Sequence, residues 1–557
     1  MLRSFVEKAT ELVWGPPTVI LLFLTGVYLT FKSGFFQFSH IFLWLDKTLF
    51  SLFRSKKEKK KSGGVSQFQA VSTALASTIG TGNIAGVATA LTIGGPGAVF
   101  WMWLSAVFSM MTAFSENTLG VFFRLKDKEE NFIGGPMYYI RDGLKNKKII
   151  GNFSSALSKL YAFFLVGAAF GIGSMTQANT VSSSLNSSFN VSFYLTAIII
   201  TAITALIISG GIKRIGEITE KLVPFMALFY ISASLLVFLY DIGNISYVFS
   251  SIFQGAFSFN SAAGGIVGFA VKECVSVGIR RGIFSNEAGL GASVTVSSLS
   301  DVTEPVRQGM WGIFQVFVDT IIVCTMTAFV IISTQVDAVN FETAINDCSK
   351  SSHYVYIGNN TDFFEGRVFL TGNIKNNTFK VNSEGTVIKT EKETFTNIML
   401  LTKGENGEIK LSEVNGVSLV GLAFKERFGS FSAIIVCVAV CLFAFSTIIG
   451  WSCYGEKASQ FLFGKKAIKI YKLLYIIFVF VGSITELTVV WGISDIFNGL
   501  MAIPNLISLL FLSGTVRKIT QNYLRRKKGL KIEPMLSFDR DIQLELELSS
   551  LDGNKDL

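Results

Sequence analysis

A glycine-rich stretch at residues 75–89, LASTIGTGNIAGVAT, could bind a charged group through backbone N–H and C=O groups that no side chain covers. Gly80, Gly82 and Gly86 are spaced almost as in a dinucleotide-binding loop. Such a loop requires a preceding strand and an acidic residue about 20 positions later. Here the glycines lie within an apolar block of helical length, and the next acidic residue is Glu116. We therefore reject a nucleotide-binding function.

The same stretch is typical of a helix that is interrupted inside a membrane. Small and polar residues are dense between Ala76 and Gly86, and unwound backbone at membrane depth must line a cavity or be covered by protein. A break exposes N–H groups that favour a carboxylate and carbonyl groups that favour a cation. The pattern predicts a break at Thr81 and Gly82 that holds an amino acid and its coupling ion. The alternative is close helix packing through small residues.

The whole chain has the composition of a membrane protein. Of its 557 residues, 50% are apolar and only 16% are charged, and the mean hydropathy is +0.50. Soluble domains carry about 25% charged residues, and about 20 apolar residues span a bilayer. We predict an all-α polytopic membrane protein with about 11 transmembrane helices, at residues 14–32, 66–91, 97–122, 156–187, 192–210, 214–240, 262–299, 306–334, 430–452, 468–492 and 495–516.

The basic residues predict how the chain is oriented. They lie in short runs between apolar blocks, which is the pattern of cytoplasmic loops rather than of a nucleic-acid-binding face. This places the basic loop at 53–65 and the tail at 518–557 in the cytoplasm, and the N-terminus outside. The polar insertion at 336–415 would be extracellular and could form a small β subdomain. We expect the tail after Gly529 to be partly disordered.

A second interruption is predicted in the seventh apolar block, at residues 262–299. The block is rich in glycine and too long for one straight helix. It lies five spans after the first break, and transporters with interrupted helices place them at corresponding positions of inverted repeats. The predicted organisation is an extra N-terminal helix at 1–52, a first repeat at 66–241, the start of a second repeat with its broken helix at 242–335, and the rest of that repeat at 416–517.

Several motifs that follow one another along the chain carry a family resemblance: ALASTIGTGNIAGVATALTIGGPGAVFWMW, FIGGPMYYI, AFGIGSMTQANT, RGIFSNEAGLGAS, PVRQGMWGIFQVFVDTIIVCTMTA, FAFSTIIGWSCYGE and WGISDIFNGLMAIPNLISLLFLSG. They resemble the alanine or glycine:cation symporter family (sodium:alanine symporters), part of the amino acid-polyamine-organocation superfamily with the leucine-transporter fold. The resemblance runs from about Trp14 to Arg517. It implies eleven helices, a five-plus-five inverted repeat and uptake of alanine or glycine with Na⁺ or sometimes H⁺.

The resemblance also implies a substrate site. Thr81 and Gly82 would present backbone amides to the substrate carboxylate, and Gln177 would hydrogen-bond the substrate. Thr447 and Trp451 would line the same pocket, with Trp451 capping the small side chain of the amino acid. The alternatives for Gln177 and Trp451 are an interhelical hydrogen bond and simple packing.

A sodium site is implied by the wider fold. It would use the backbone carbonyl groups of Ala76 and Ile79 and the hydroxyl groups of Ser446 and Thr447. The alternative is that both hydroxyl groups bond back to their own helix, as intramembrane Ser and Thr residues often do.

Ionisable residues within spans are costly and therefore count as functional candidates. Glu116, Glu287, Asp319 and Asp495 are such residues, and a buried hydrogen-bonded role is the alternative for each. A carboxylate near the ion route could serve Na⁺ or, with a raised pKa, a proton. The candidates for coupling or gating are Asn83, Asn286, Glu287 and Asp319.

The sequence favours a secondary active symporter in the plasma (inner) membrane that imports a small neutral amino acid with Na⁺ by alternating access. No nucleophile-base or metal constellation is present, and His40 and His353 are the two histidines, so we expect neither an enzyme nor a cofactor. The expected partners are the amino acid and lipid, without nucleic acid. Two alternatives stay open: a proton-coupled transporter of the same fold, and a receptor that binds an amino acid without transporting it.

Overall fold

A computed structural model describes the helical part of the chain and six short strands between residues 339 and 413. The helical part comprises residues 2–54, 65–257, 266–334, 416–485 and 488–551. The predicted basic loop at 53–65 lies largely outside the described residues, and so does most of the predicted insertion at 336–415.

The first half of the chain begins with an extra helical region and continues into the first set of spans. The first interrupted helix begins with a capping box at Ser66. The Ser66 side chain accepts a hydrogen bond from the Gln69 backbone N–H, and the Gln69 side chain accepts one from the Ser66 backbone N–H. The helices are α1 (Leu2–Val13), α2 (Pro16–Lys32), α3 (Phe36–Ser39), α4 (Ile41–Lys47), α5 (Leu49–Arg54), α6 (Gln67–Thr78), α7 (Ala85–Gly94), α8 (Gly97–Phe122), α9 (Pro136–Tyr138), α10 (Ser154–Ala168), α11 (Gln177–Phe189), α12 (Phe193–Ser209) and α13 (Gly211–Tyr240).

The second half contains the other interrupted helix and a helical tail. Its helices are α14 (Ile245–Phe257), α15 (Ile266–Asn286), α16 (Val294–Ser297), α17 (Pro305–Val316), α18 (Thr325–Ser333), α19 (Gly416–Phe428), α20 (Ser432–Phe463), α21 (Ala467–Ile484), α22 (Thr488–Lys527) and α23 (Arg540–Leu551). Wider π-helical turns at Ala169–Thr176 and Phe317–Cys324 join α10 to α11 and α17 to α18 into continuous rods.

Length and apolar composition confirm a polytopic helical membrane protein. Seven described segments are long and apolar enough to cross a bilayer, and the bent pair α6–α7 makes an eighth. The shorter helices α2 and α12 are also apolar. The seven are Gly97–Phe122, Gly151–Phe189, Gly211–Tyr240, Pro305–Ser333, Gly416–Phe463, Ala467–Ile484 and Gly492–Lys527.

The structure confirms both predicted interruptions. The axes of α6 and α7 differ by 53° across the break after Thr78. The overlong seventh block contains α15, then an irregular turn at residues 287–293, and then the single-turn helix α16. The two breaks thus lie in the two helices that were expected to correspond between the halves.

Several predicted features differ from the structure. The helices α14 and α19 were not predicted. Helix α20 continues to Phe463, beyond the predicted end at residue 452, and α22 continues to Lys527, beyond the predicted end at residue 516. The tail that was expected to be partly disordered forms helix α23 at Arg540–Leu551. Its apolar residues pack onto the rest of the molecule, which the charged composition of the tail did not suggest.

The strands are short and lie outside the spans. A hairpin of β1 (Leu125–Lys126) and β2 (Phe132–Ile133) follows α8. The insertion contains β-structure, as predicted: a sheet with the order β3-β4-β7-β8 and a separate β5-β6 pair. Their bounds are β3 (Val339–Asn340), β4 (Gly366–Phe369), β5 (Thr378–Lys380), β6 (Val387–Lys389), β7 (Ile398–Lys403) and β8 (Ile409–Glu413).

Glycines allow the helices that surround the two breaks to approach closely. A Cβ atom on Gly97 would lie 2.2 Å from the carbonyl carbon of Gly255, so α8 and α14 are in contact through backbone. A Cβ atom on Gly173 would lie 2.4 Å from the Cβ atom of Trp451, which places the π-helical turn against α20. Small residues at such contacts are the usual basis of helix packing in membranes.

Candidate functional site

The break between α6 and α7 forms one wall of a buried site. Gly80 is extended, and its N–H donates to Asn83 Oδ1 at 2.9 Å. Thr81 and Gly82 then begin a 3₁₀ turn, where backbone N–H groups lack an acceptor within the helix. A Cβ atom at Gly80 would lie 2.5 Å from Thr447 Oγ1, so a residue with a side chain would separate the break from α20.

Thr81 also connects the break to the fourth span. Its hydroxyl donates to Gln177 Oε1 at 3.0 Å. This bond orients the amide, and its Nε2 group carries the two hydrogens that can be donated to a ligand. Gln177 is the first residue of α11 after the π-helical turn, and both residues are buried.

The predicted sodium-site residues divide into two groups. Thr447 Oγ1 donates to the carbonyl oxygen of Ala76 at 3.3 Å and to that of Phe443 at 3.0 Å, so α20 and the end of α6 meet at this hydroxyl. Ser446 donates, among the described residues, only to Phe443 O within its own helix, and the Thr447 bond to Phe443 O is of the same kind, so both hydroxyl groups make the back-bonds given as the alternative. Ile79 is fully buried at the break.

The second break lies across the site. α15 ends at Asn286, and Glu287 follows with a φ of +56°, which is uncommon for a residue other than glycine. Glu287 Oε1 accepts a hydrogen bond from Trp451 Nε1 at 3.0 Å. Asn286 Nδ2 donates to Thr320 Oγ1 at 3.1 Å, and Asn286 Oδ1 accepts from the Ala288 N–H. Asn286 thus holds the turn, while Glu287 is in contact with the predicted capping residue.

Glu116 has the structural role that was its alternative. Its Oε1 accepts from the Gly289 N–H at 3.0 Å and from Asn505 Nδ2 at 2.6 Å. Asn505 also donates to Gly289 O, and the Tyr139 hydroxyl donates to Asn505 Oδ1. Gly289 has a φ of +93°, a conformation that residues with a Cβ rarely adopt. The carboxylate therefore fixes the irregular turn after α15 by accepting hydrogen bonds from it.

Asp319 joins the two breaks. It is fully buried in the π-helical turn between α17 and α18. Its Oδ1 accepts from Asn83 Nδ2 at 2.7 Å, and its Oδ2 accepts from Ser285 Oγ and Thr320 Oγ1, both at 2.9 Å. Asn83 belongs to the first break and Ser285 to the end of α15, so one carboxylate contacts both interrupted helices.

A cavity of about 260 Å³ lies between the breaks and α20. Six predicted residues line it: Thr81, Gly82, Gln177, Glu287, Thr447 and Trp451. The remaining predicted residues do not line it and lie around it: Ala76, Ile79, Asn83, Asn286, Asp319 and Ser446.

The cavity also contains residues that the sequence prediction did not assign to a site. Arg281, Ser285 and Asn498 line it, and so does Asp495, an ionisable candidate for which a buried hydrogen-bonded role was the alternative. Arg281 was not among the ionisable residues considered from the sequence. The cost of placing a charge within a span was the signal that could have identified it as a site residue. Ser285 and Asn498 are neutral residues without such a signal.

Among the residues that the structure describes, no group of three or more His, Cys, Asp or Glu side chains could hold a metal ion. The described polar groups around the cavity are mainly hydroxyl, amide, carboxylate and carbonyl groups, together with the Arg281 guanidinium and the Trp451 indole N–H. Such oxygen-rich surroundings suit a hard cation and a zwitterionic ligand better than they suit a transition metal.

Comparison with known proteins identifies the family. The sodium:alanine symporter family model matches residues 1–364 and 386–536. An uncharacterised transporter of Haemophilus influenzae is 38% identical, and covers 95% of this chain and 97% of its own length. The sodium/alanine symporter AgcS of Methanococcus maripaludis is 36% identical, with coverages of 94% and 98%. The probable sodium/glutamine symporter GlnT of Bacillus subtilis is 30% identical, with coverages of 95% and 92%. The chain belongs to the sodium:alanine symporter family.

Proposed function

We propose that the protein imports a small neutral amino acid, alanine or glycine, together with Na⁺ by alternating access. The observation that supports this function best is the shared cavity, because residues from both helix breaks, α11 and α20 line it together. A relative over nearly the whole chain is named a sodium/alanine symporter. The family to which the chain belongs consists of symporters, which transport solutes across a membrane and are not enzymes.

The proposed substrate site replaces the water that surrounds a zwitterion. Unpaired charges are strongly disfavoured in hydrocarbon, so each end of the amino acid must find partners in the cavity. The N–H groups of Thr81 and Gly82 and the amide of Gln177 offer donors to the carboxylate. Trp451 is fully buried and would limit the size of the substrate side chain.

The proposed sodium site lies next to the substrate site. The Ala76 carbonyl oxygen and the Thr447 hydroxyl are 3.3 Å apart, and a cation between them would receive oxygen ligands from α6 and α20 at once. One positive charge that moves inward gains about 2.3 kcal/mol per 100 mV of membrane potential. That energy would drive accumulation of the amino acid.

Purified protein in liposomes tests this proposal. We expect labelled alanine or glycine to accumulate when Na⁺ is high outside, and to equilibrate without accumulation when Na⁺ is equal on both sides. Glutamine should be a poor competitor, since the Trp451 side of the cavity is closed by a large buried ring. Accumulation with an H⁺ gradient alone would favour the proton-coupled alternative, and binding without any gradient-driven flux would favour the receptor.

A further inference from the structure

Four cavity residues have a buried polar side-chain atom without a hydrogen-bond partner among the described residues: Arg281, Glu287, Asp495 and Asn498. Of these, Glu287 lies at the second break and contacts Trp451. It is 6% exposed and lines the cavity. Oε1 accepts from Trp451 Nε1, whereas Oε2 has no hydrogen-bond partner among the described residues. A buried carboxylate oxygen without a donor is strongly unfavourable unless a ligand supplies one. The positive φ of Glu287 is a second local cost, and such costs are concentrated at binding sites.

The charges around the cavity indicate which ligand group would fill this position. The charged residues that line the cavity are Arg281, Glu287 and Asp495, so its lining carries one formal positive charge and two formal negative charges. The donors for a ligand carboxylate lie on another element, at Thr81 and Gly82. The cavity therefore presents N–H donors at the first break and an incompletely bonded carboxylate at the second. This arrangement complements a zwitterion with a carboxylate and an ammonium group.

We propose that the Glu287 carboxylate binds the ammonium group of the transported amino acid, a role that rests on the amino acid transport proposed above. Trp451 would be a positioning residue, because its indole N–H occupies Oε1 and leaves Oε2 for the ligand. The ammonium group would supply up to three donors, of which one completes Oε2.

The test compares alanine with L-lactate, which has a hydroxyl group in place of the ammonium group. In wild-type liposomes we expect lactate to compete poorly with labelled alanine. In Glu287→Gln, the KM for alanine should rise about 30-fold or more, because one partner of a buried charge pair is lost. The inhibition constant for lactate should change much less, so the preference for alanine should become smaller. Trp451→Phe should shift the preference in the same direction and to a lesser extent.

A matched control is Glu116→Gln, which alters another buried carboxylate that holds the same turn but does not line the cavity. Its preference for alanine over lactate should equal that of the wild type. If Glu287→Gln keeps the wild-type preference, or changes only the ratio of Na⁺ to alanine transported, the ammonium role is wrong. Failure of the wild-type protein to transport alanine would instead contradict the proposed function.

An independent observation concerns the tail helix α23, which lies beyond the last residue matched by the family model. Leu536, Ile542 and Leu546 are buried together against Phe132 of the β1–β2 hairpin. The Phe538 N–H donates to the Phe122 carbonyl oxygen at 2.8 Å. The tail is therefore docked on the end of α8 and on its hairpin.

Charged contacts extend this docking. Lys126 Nζ lies 2.5 Å from Glu545 Oε2. Although desolvation opposes the shift, the hydrogen bonds with Glu545 and Glu130 raise the pKa of Lys126, so the lysine remains charged at neutral pH.

Just before the tail, Arg526 at the end of α22 makes a bidentate ion pair with Glu304, with N–O distances of 2.6 and 2.8 Å. Both groups are almost fully buried, and bidentate geometry makes such a pair specific.

The docked tail is connected to the first interrupted helix. Arg124 stacks on the Phe132 ring at 3.8 Å and donates to the Ser300 carbonyl oxygen at 2.5 Å. Ser300 is bridged to Val65, and the next residue, Ser66, caps α6. A continuous series of contacts thus leads from α23 through the hairpin to the start of α6.

From these contacts we infer that α23 is a strap that holds this end of the transporter closed. Alternating access requires one helix bundle to rock against the other. The tail contacts the end of α8 and its hairpin, and the segment before α23 is hydrogen-bonded to Asn522 of α22, so separation of these ends would break the tail contacts. Release of α23 would therefore shift the protein toward the conformation that is open at this end.

Labelling of a buried cysteine tests the strap. Ser300→Cys places a thiol beneath the hairpin, at a fully buried position. Leu546→Asp, which puts a charge into the buried cluster, should increase the maleimide labelling rate of that thiol by about tenfold or more. Labelling of protein without the introduced cysteine gives the background.

The control is Leu548→Asp in the same helix, because Leu548 is 65% exposed whereas Leu546 is 8% exposed. Its labelling rate should equal that of Ser300→Cys alone. Equal rates in the two aspartate variants would contradict the strap. Equal rates would mean that α23 packs on the surface without holding this end of the transporter closed.

Discussion

Replacement of Thr447 by valine is expected to reduce Na⁺-driven alanine uptake by about tenfold or more. The Na⁺ concentration for half-maximal uptake should also rise. The reason is that a hydroxyl group that binds a charged partner contributes roughly 1.5–3 kcal/mol. Valine has nearly the same shape as threonine. The side chain also fits, because Gly80 has no Cβ where Thr447 approaches the break. The loss would therefore report on the missing oxygen rather than on packing.

The measurement is the initial rate of labelled alanine uptake in liposomes over a series of external Na⁺ concentrations. Ser452→Ala serves as the matched control, because Ser452 is buried in the same helix and its hydroxyl donates to its own Ile449 carbonyl oxygen. This variant should retain wild-type Na⁺ dependence. An unchanged Na⁺ dependence in Thr447→Val would remove Thr447 from the proposed sodium site.

Replacement of Asp319 by alanine is expected to destabilise the folded protein by about 3 kcal/mol, because buried donors that lose their acceptor each cost roughly 1–3 kcal/mol. The affected donors are Asn83 Nδ2, Ser285 Oγ and Thr320 Oγ1. Part of the cost is recovered, since Asn83 and Ser285 also contact the Cys324 sulfur. Transport should fall with stability because both breaks lose a common partner.

Thermal unfolding in detergent measures this effect, and Asp319→Asn provides the comparison. Asparagine keeps one acceptor oxygen but turns an NH₂ group toward hydroxyl or amide donors. We expect the midpoint temperatures to fall in the order wild type, Asp319→Asn, Asp319→Ala. If the alanine variant unfolds at the wild-type temperature, Asp319 does not hold the breaks together.

The breaks could be predicted from the sequence because their cause is local. A run of glycine and small polar residues inside an apolar block favours an interrupted helix, and this pattern predicted a break at Thr81 and Gly82 and another within block 262–299. The structure has the interruptions at residues 79–84 and 287–293. Which side chains meet across the cavity depends on tertiary contacts. Asn83, Ser285 and Asp319 come from distant parts of the chain, and nothing in their neighbouring residues indicates that they share hydrogen bonds.

The cavity residues were predicted mainly through family motifs, and the structure shows why spacing alone would not suffice. Gln177, which contacts Thr81, directly follows a π-helical turn that departs from the regular helical period of the fourth span. A regular 3.6-residue period would assign a different face to Gln177. The roles of the site residues in binding substrate and Na⁺ stay predictions until the variants are measured.

The tail was misjudged for a different physical reason. The segment QLELEL alternates apolar and acidic residues, which is the period of a strand or of a solvated chain, and its charge suggested disorder. Ile542 and Leu546 are four residues apart, however, and that spacing puts both on one face of a helix. With Leu536 they form the buried cluster. The helical signal was present but involved too few residues to outweigh the charge.

Because one carboxylate contacts both interrupted helices, we expect the two ends of the proposed binding site to be thermodynamically linked. Asp319 accepts hydrogen bonds from Asn83 at the first break and from Ser285 at the second, so a shift of either backbone changes the energy of the other. Linkage is reciprocal: by whatever factor bound Na⁺ increases the affinity for the amino acid, the amino acid increases the affinity for Na⁺. Such mutual dependence would keep the partly loaded states sparsely populated, and a transporter with few partly loaded states loses little of its ion gradient to uncoupled leakage.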